Sequence, residues 1–262
     1  MQMCPIRARS GPLPRKSQAQ IARAGDLLAM LRERYPDAHC ELAWSEPHEL
    51  LVATILSAQS TDVGVNRATP ALFRAFPTPA DYARAGSEAI APHIRSLNFW
   101  RMKARAVAES MAAIADRHGG EVPRSMDALL ALRGVARKTA NVVLGNAFGI
   151  NVGVVVDTHV GRLSRRLGLS RHDDPAHVER DLMALFPQES WCELSHLLIF
   201  HGRRVCKARG GACADDTICQ RFCSEARPKA ATRARAGRAA AQGAPSRRPQ
   251  ASTRQPPSRR RG

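Results

Sequence analysis

Three things are scarce in this sequence: aromatic residues, long apolar runs and strand-like patterns. Aromatic side chains make up 5% of the 262 residues. The core must therefore consist mainly of leucine, valine, isoleucine and alanine, a composition that favours helices. No apolar segment approaches the roughly 18 residues that a membrane-spanning helix needs. We therefore expect a folded protein without a membrane segment.

Apolar residues recur at helical spacing in almost every segment, and the connections between segments are short. The one strand-like run, residues 152–156, has no partner with which to form a sheet. The sequence therefore predicts an all-α fold of about ten helices. The predicted helical segments are 18–34, 47–60, 62 to near 77, 79–85, 87–97, 101–118, 126–133, 137–148, 157–168, 175–186 and 189–205.

Positive charge is concentrated at the end of the chain. Residues 227–262 contain ten arginines, one lysine and no acid, so the rest of the chain holds only +6 of the net charge of +17. This basic segment lacks large apolar residues and is predicted to be disordered. It is either a polyanion-binding tail or a solubility tail. Residues 1–17, with four basic residues and three prolines, are interpreted as a flexible basic arm.

Four of the seven cysteines lie within eighteen residues of one another. In a chain without an export signal, such a cluster favours a metal site over a disulfide framework. Four thiolates suit a [4Fe–4S] cluster or a tetrahedral zinc ion, and the lack of a CxxC pair argues against a zinc knuckle. The predicted ligands are Cys206, Cys213, Cys219 and Cys223.

Residues 132–136 are predicted to form a tight turn between two helices. Gly134 permits a positive φ and the close approach of another segment. The free amides at the start of the second helix would face outward, where the helix dipole favours an anion such as phosphate. Considered alone, the turn is more typical of an ordinary helical hairpin.

Lys138 and Asp157 are the candidate reactive residues. The helix dipole disfavours a positive charge on a lysine in the first turn. With partial burial, this would lower the pKa of Lys138, so that a fraction of it is neutral amine. A neutral amine is a nucleophile for a sugar C1′ carbon. Its alternatives are a phosphate contact or a plain surface lysine. Asp157 follows an apolar run and precedes a helix, so it is an N-cap, a carboxylate that stabilises a sugar cation, or both.

Taken together, these segments resemble the endonuclease III family of helix-hairpin-helix DNA repair glycosylases. The resemblance covers about residues 18–225. It rests on ILSAQSTD (55–62), LRGVARKTANVVL (132–144), VVDTHVGRLSRRLG (155–168), LIFHGRRVC (198–206) and the cysteine cluster, in that order along the chain. Five collinear matches are far more specific than any one of them.

The resemblance implies a base excision repair glycosylase that removes oxidised pyrimidines and cleaves abasic sites. Lys138 would attack C1′ and form an imine that permits β-elimination, and Asp157 would stabilise the sugar cation. Related adenine glycosylases lack this lysine, so its presence favours the bifunctional reaction. A DNA-binding paralogue without turnover and a monofunctional glycosylase are the alternatives. The implied partner is double-stranded DNA with damaged bases or abasic sites, bound by a monomer in the prokaryotic cytoplasm or nucleoid.

The resemblance also implies a two-domain fold and a set of DNA contacts. A six-helix barrel would cover residues 40–150, and an iron–sulfur domain would cover 18–39 and 151–225, leaving the arm 1–17 and the tail 226–262. Gln59 would fill the gap left by the flipped nucleotide and Phe99 would be an intercalating wedge, although a core aromatic is the alternative for Phe99. The expected DNA contacts are Gln59, Phe99, Gly134, Val135, Ala136, Arg137, Thr139, His159 and Arg162.

The chain departs from the family pattern in several places. Arg133 and Ala136 replace a proline and a glycine of the usual hairpin, and Asn98 replaces a glycine beside the wedge. The prolines usual before the catalytic aspartate are absent. The cysteine spacings are six, five and three, whereas the family has six, two and five, and Asp216 stands where the third cysteine is expected. We therefore expect an altered hairpin and a cluster of altered geometry.

Overall fold

The computed structural model describes residues 11–209 and 211–223, and in these residues the secondary structure is entirely helical. The predicted tail and residues 1–10 of the predicted arm lie outside the described residues. The helices are α1 Gln18–Arg34, α2 Pro47–Ser57, α3 Asp62–Ala75, α4 Pro79–Ile90, α5 Trp100–Arg117, α6 Met126–Leu130, α7 Arg137–Phe148, α8 Thr158–Arg166, α9 Pro175–Leu185, α10 Trp191–Arg204 and α11 Thr217–Phe222, with 3-10 turns at Ala91–Ile94 and Gln188–Ser190.

Local chemistry sets most helix starts. The side chain before the first helical residue accepts a hydrogen bond from a first-turn amide, which satisfies one of the amides that have no partner within the helix. Prolines open α2, α4 and α9, where their missing N–H costs nothing. The capping side chains are Ser17, Thr61, Thr78, Ser125, Asp157, Asp174 and Asp216.

The all-α prediction is confirmed, but several of its details are wrong. The helix predicted over 47–60 ends at Ser57, and Gln59 beyond it has a positive φ of 52°. The helix predicted over 87–97 is instead the end of α4, bent at Gly86 with φ +67°, followed by a 3-10 turn. Helix α6 has five residues rather than eight, because the chain turns toward Gly134. The short helix α11, capped by Asp216, lies beyond the last predicted helix.

Buried apolar residues form two clusters. One draws on residues 42–144, from α2 to α7. The other combines α1 with residues 154–223. These clusters involve the ranges predicted for the two domains, and the exact division of the chain remains a prediction. Helix α7 belongs to the first cluster and α8 to the second, so the residues between them lie at the boundary. Among the described residues, no helix is both long and apolar enough to cross a membrane.

Candidate active site and metal centre

The turn before α7 is tightly packed. Gly134 has φ +77°, and a Cβ added there would come within 2.9 Å of the Ala106 side chain. Leu132 and Val135 on either side are buried in the first cluster. The hydroxyl of Ser110 donates a 2.6 Å hydrogen bond to the Arg133 carbonyl. The turn therefore requires glycine for its conformation as well as for space.

The start of α7 is open to an anion. Ala136 is the N-cap, with φ −93° and ψ 170°, and its side chain makes no capping bond. Alanine therefore adopts this position without strain, although the usual family residue is glycine. The first-turn amides lack a side-chain cap, so the helix start is suited to a phosphate oxygen.

Lys138 is the second residue of α7, and its side chain is exposed, so the prediction of partial burial was wrong. The physical reason is its position in the first turn, on the side that lines an open cleft rather than a core. In the folded protein alone the amine is exposed to water. A substrate bound in that cleft would have to displace this water.

Asp157 is half-buried and caps α8. Its Oδ1 accepts a 2.8 Å hydrogen bond from the Val160 amide. The capping interpretation is therefore confirmed. It does not exclude the chemical one, because the cap uses one oxygen and the carboxylate has two. Asp157 lines a cavity of about 450 Å³ together with Lys138, Arg162 and Arg165.

Asp62 is a third ionisable group in the cleft. The sequence indicated it only as a residue at the start of a helix. It shares a second cavity with Lys138, Asp157 and His159. Burial raises the pKa of Asp62, against the attraction of Lys138 and with the repulsion of Asp157. Nη2 of Arg203 lies 2.6 Å from Oδ2 of Asp62. The signal that could have found Asp62 is its place in the ILSAQSTD segment.

Three predicted DNA contacts also hold the protein together. Arg137 donates from Nε to the buried Glu179 at 2.7 Å. Arg162 donates from Nη2 to the carbonyls of Gly202 and Cys206, at 3.1 and 3.0 Å, and to Nδ1 of His159 at 3.2 Å. Their roles as DNA contacts remain predictions, as does that of Thr139, which is half-buried in the first turn of α7.

Gln59 and Phe99 are the described non-glycine residues with positive φ, at 52° and 55°. Phe99 is 56% exposed, which excludes the core interpretation of this aromatic ring. Nδ2 of Asn98 donates a 2.9 Å hydrogen bond to the Gln59 carbonyl, so the two loops meet. A cavity of about 450 Å³ lies between them.

The cysteine cluster provides a metal-binding donor set. The sulfurs of Cys206, Cys213 and Cys219 lie within 4.8 Å of one another. Cys223, the fourth predicted ligand, is buried in the second cluster but is not part of this group of three. Hydrogen bonding from Cys219, assisted by Arg166, lowers the pKa of the Cys206 thiol to about 5, while the same hydrogen bond and burial raise the pKa of Cys219. Thiolate is the form that binds metal. The residues present therefore fit a thiolate-held metal.

Asp216, which stands at the usual third-cysteine position, has other partners. It caps α11 by accepting from the Cys219 amide at 2.9 Å and pairs with Arg34 at 3.0 Å. Cys219 converges with the other sulfurs instead. Nε2 of His201 lies 3.3 Å from the Cys219 sulfur, and Nδ1 lies 2.8 Å from the Tyr35 hydroxyl. Burial lowers the pKa of His201, which suits a neutral ring that accepts at Nδ1 and donates at Nε2.

Comparison with known proteins places these residues in context. The model of HhH-GPD superfamily base excision DNA repair proteins matches residues 52–188. An endonuclease III from Synechocystis sp. is 49% identical, over 78% of this chain and 93% of the relative. A solved trapped endonuclease III–DNA covalent intermediate is 43% identical with a TM-score of 0.74, covering 79% of this chain and 96% of that one. A non-covalent endonuclease III–DNA complex is 42% identical with a TM-score of 0.74, covering 82% and 98%.

Proposed function

Because the chain belongs to the endonuclease III family of base excision DNA repair proteins, we propose that Lys138 and Asp157 carry out its DNA glycosylase and abasic-site lyase reaction. The observation that supports this assignment most directly is their convergence. An exposed amine from α7 and a half-buried carboxylate from α8 line the same cavity.

The chemistry proceeds in two stages. The Lys138 amine donates its lone pair to C1′ while the glycosidic bond breaks, and the bonding electrons leave with the base, which takes up a proton. Asp157 stabilises the positive charge that develops on the sugar and receives a proton from the amine. The C1′–O4′ bond then breaks as the nitrogen lone pair forms a double bond to C1′, and O4′ takes up a proton, which leaves an open-chain iminium. Loss of a C2′ proton drives β-elimination, which breaks the C3′–O bond and releases a 5′-phosphate end.

DNA is the supported macromolecular partner. The hairpin turn offers uncapped amides at the start of α7, and the solved relatives include complexes with DNA. Oxidised, ring-saturated pyrimidines are the proposed bases, and a monomer is the proposed active form. The expected contacts are those predicted above, with Gly134, Val135 and Ala136 at the backbone and Gln59 and Phe99 at the lesion.

The cysteine cluster is proposed to hold a [4Fe–4S] cluster through Cys206, Cys213, Cys219 and Cys223. Such a cluster has a structural or DNA-positioning role here, because the thiols lie outside the residues that line the Lys138 cleft. Absorption near roughly 400 nm in a yellow-brown preparation would support iron–sulfur. A colourless preparation that contains zinc would contradict it.

A panel of single-lesion duplexes tests the proposed function, with products measured with and without alkali. We expect nicking of a thymine-glycol duplex without alkali. Products that appear only after alkali would indicate a monofunctional glycosylase, and tight binding without any product would indicate a paralogue without turnover. For residues 226–262 we propose DNA binding, so deleting 227–262 should flatten the salt dependence of affinity. An unchanged slope would favour a solubility tail.

A further inference from the structure

Gln59 and Phe99 adopt a backbone conformation that side chains disfavour. Both have φ near +55°, in the left-handed region that normally belongs to glycine. Non-glycine residues remain there only where the surrounding structure holds them, and they concentrate at functional sites. Phe99 is moreover an apolar ring with 56% of its surface exposed. Two exposed side chains are thus presented at a conformational cost.

Asn98 connects the two residues. It directly precedes Phe99 in the chain, and its Nδ2 donates a 2.9 Å hydrogen bond to the Gln59 carbonyl, 39 residues away. Glycine, the usual family residue at this position, has no side chain with which to make this bond. The contact is therefore specific to chains that carry a donor at position 98.

A second hydrogen bond holds the loop that contains Gln59. Lys103, buried in α5, donates from Nζ to the Ser60 hydroxyl at 2.8 Å. Ser60 directly follows Gln59. Asn98 and Lys103, on either side of Phe99 in the chain, therefore bond to two adjacent residues of one loop. The space between the loops is lined by Gln59, Ser60, Leu97 and Asn98, among others.

We propose that Asn98 is a positioning residue that fixes Gln59 and Phe99 in one arrangement before DNA is bound. A loop that is already ordered loses less conformational entropy on binding, and this increases affinity for the partner it fits. This proposal rests on the proposed function, because it assumes that Gln59 and Phe99 enter DNA at the lesion. The effect should therefore appear on DNA with a gap in its stack and not on intact DNA.

The test is equilibrium binding of the full-length protein to two duplexes. One carries a tetrahydrofuran abasic-site analogue opposite 2-aminopurine, and the other is undamaged. Asn98→Ala should weaken binding to the analogue duplex by about fivefold, the effect of one lost hydrogen bond. Binding to undamaged DNA should not change, and the 2-aminopurine fluorescence rise on binding should be smaller.

Asn66→Ala is the matched control. Asn66 makes the same type of bond, from Nδ2 to the Glu41 carbonyl at 2.8 Å, and its Oδ1 also accepts from the Ala43 amide at 2.9 Å, so its bonds join a different pair of segments. It should leave the ratio of the two affinities unchanged. Asn98→Ala should also have little further effect when Gln59 and Phe99 are both already alanine, because a residue that acts through these two side chains cannot lose its effect twice.

The outcomes separate two failures. An Asn98→Ala variant that leaves the ratio of the two affinities unchanged would overturn the positioning role alone. Full additivity of Asn98→Ala with the Gln59→Ala/Phe99→Ala double variant would do the same. If the wild-type protein shows no preference for the analogue duplex, then the proposed function is overturned, and the positioning role with it.

Discussion

Glu179 accepts a 2.7 Å ion-paired hydrogen bond from Nε of Arg137, the residue that directly precedes Lys138. The carboxylate is 6% exposed and comes from α9. Helix α9 therefore fixes the start of α7 across the boundary between the two buried clusters. The position of the proposed nucleophile depends on a contact that lies 42 residues away in sequence.

We expect Glu179→Gln to lower the free energy of unfolding by about 1–3 kcal/mol, because the bond from Arg137 keeps an acceptor but loses the negative charge of the buried carboxylate. It should also slow imine formation by Lys138. Urea unfolding measures the first effect. Glu193→Gln is the matched control, since its ion pair with Arg32 is exposed and should be worth about 0–1 kcal/mol. Equal losses in the two variants would contradict the special role of Glu179.

The hairpin glycine gives a second prediction. Gly134→Ala combines a strained positive φ with a contact of 2.9 Å to Ala106, so we expect a loss of stability of about 3 kcal/mol and weaker DNA binding. Gly149 has a similar φ, +66°, but nothing within 4 Å of an added Cβ. Gly149→Ala should cost only about 1 kcal/mol, and a larger loss there than at Gly134 would refute this explanation.

The hydrogen bonds around the cysteines predict how firmly the proposed iron–sulfur cluster would be held. Removing the Tyr35 hydroxyl by Tyr35→Phe frees His201, whose Nε2 lies 3.3 Å from the Cys219 sulfur. Loss of such supporting bonds typically lowers metal affinity by about tenfold or more. We expect the roughly 400 nm absorbance to bleach faster in the presence of a chelator.

Tyr82→Phe is the control for that experiment. Tyr82 is also fully buried, but among the described residues its hydroxyl has no hydrogen-bond partner. Its replacement should leave the rate of bleaching unchanged. Equal rates in wild type, Tyr35→Phe and Tyr82→Phe would show that the Tyr35–His201 contact does not support the metal.

A pH dependence follows from Asp181. Burial opposes ionisation, but hydrogen bonds from Lys16 and Ser170 outweigh it and lower the pKa of Asp181 below its ordinary value. A carboxylate whose pKa is lower in the folded state stabilises the fold at pH values above its unfolded-state pKa. This stabilisation is lost as the pH falls through the folded-state pKa. Lys16→Met should therefore destabilise the protein at pH 7, and the difference from wild type should shrink below about pH 4. A constant difference across thermal melts from pH 7 to 3 would contradict this.

The sequence was sufficient for features that depend on local patterns. Helical periodicity and capping residues predicted the all-α fold, and the flanking segments singled out Lys138 and Asp157 as a candidate pair. Helix α11 was missed because six residues are too few to show a helical period. The exposure of Lys138 was also missed, since a first-turn position does not tell which side faces solvent.

The remaining site features depend on contacts between distant segments. The bond from Asn98 spans 39 residues and the contact from Tyr35 to His201 spans 166. Asp62 looked like an ordinary helix start until the fold placed it beside Lys138 and Asp157. The ILSAQSTD segment could mark Asp62 as a candidate, but a single sequence does not show which distant residues it meets, because packing of the whole chain brings them together.

The central claim is that Lys138 is the nucleophile, and borohydride trapping on abasic DNA tests it most directly. We expect the wild-type protein to form a covalent complex, because reduction of the imine makes the bond from Nζ to C1′ permanent. Lys138→Ala should form none, while Lys207→Ala, which removes an exposed lysine, should trap as the wild type does. A trapped complex of undiminished yield with Lys138→Ala would contradict the assignment.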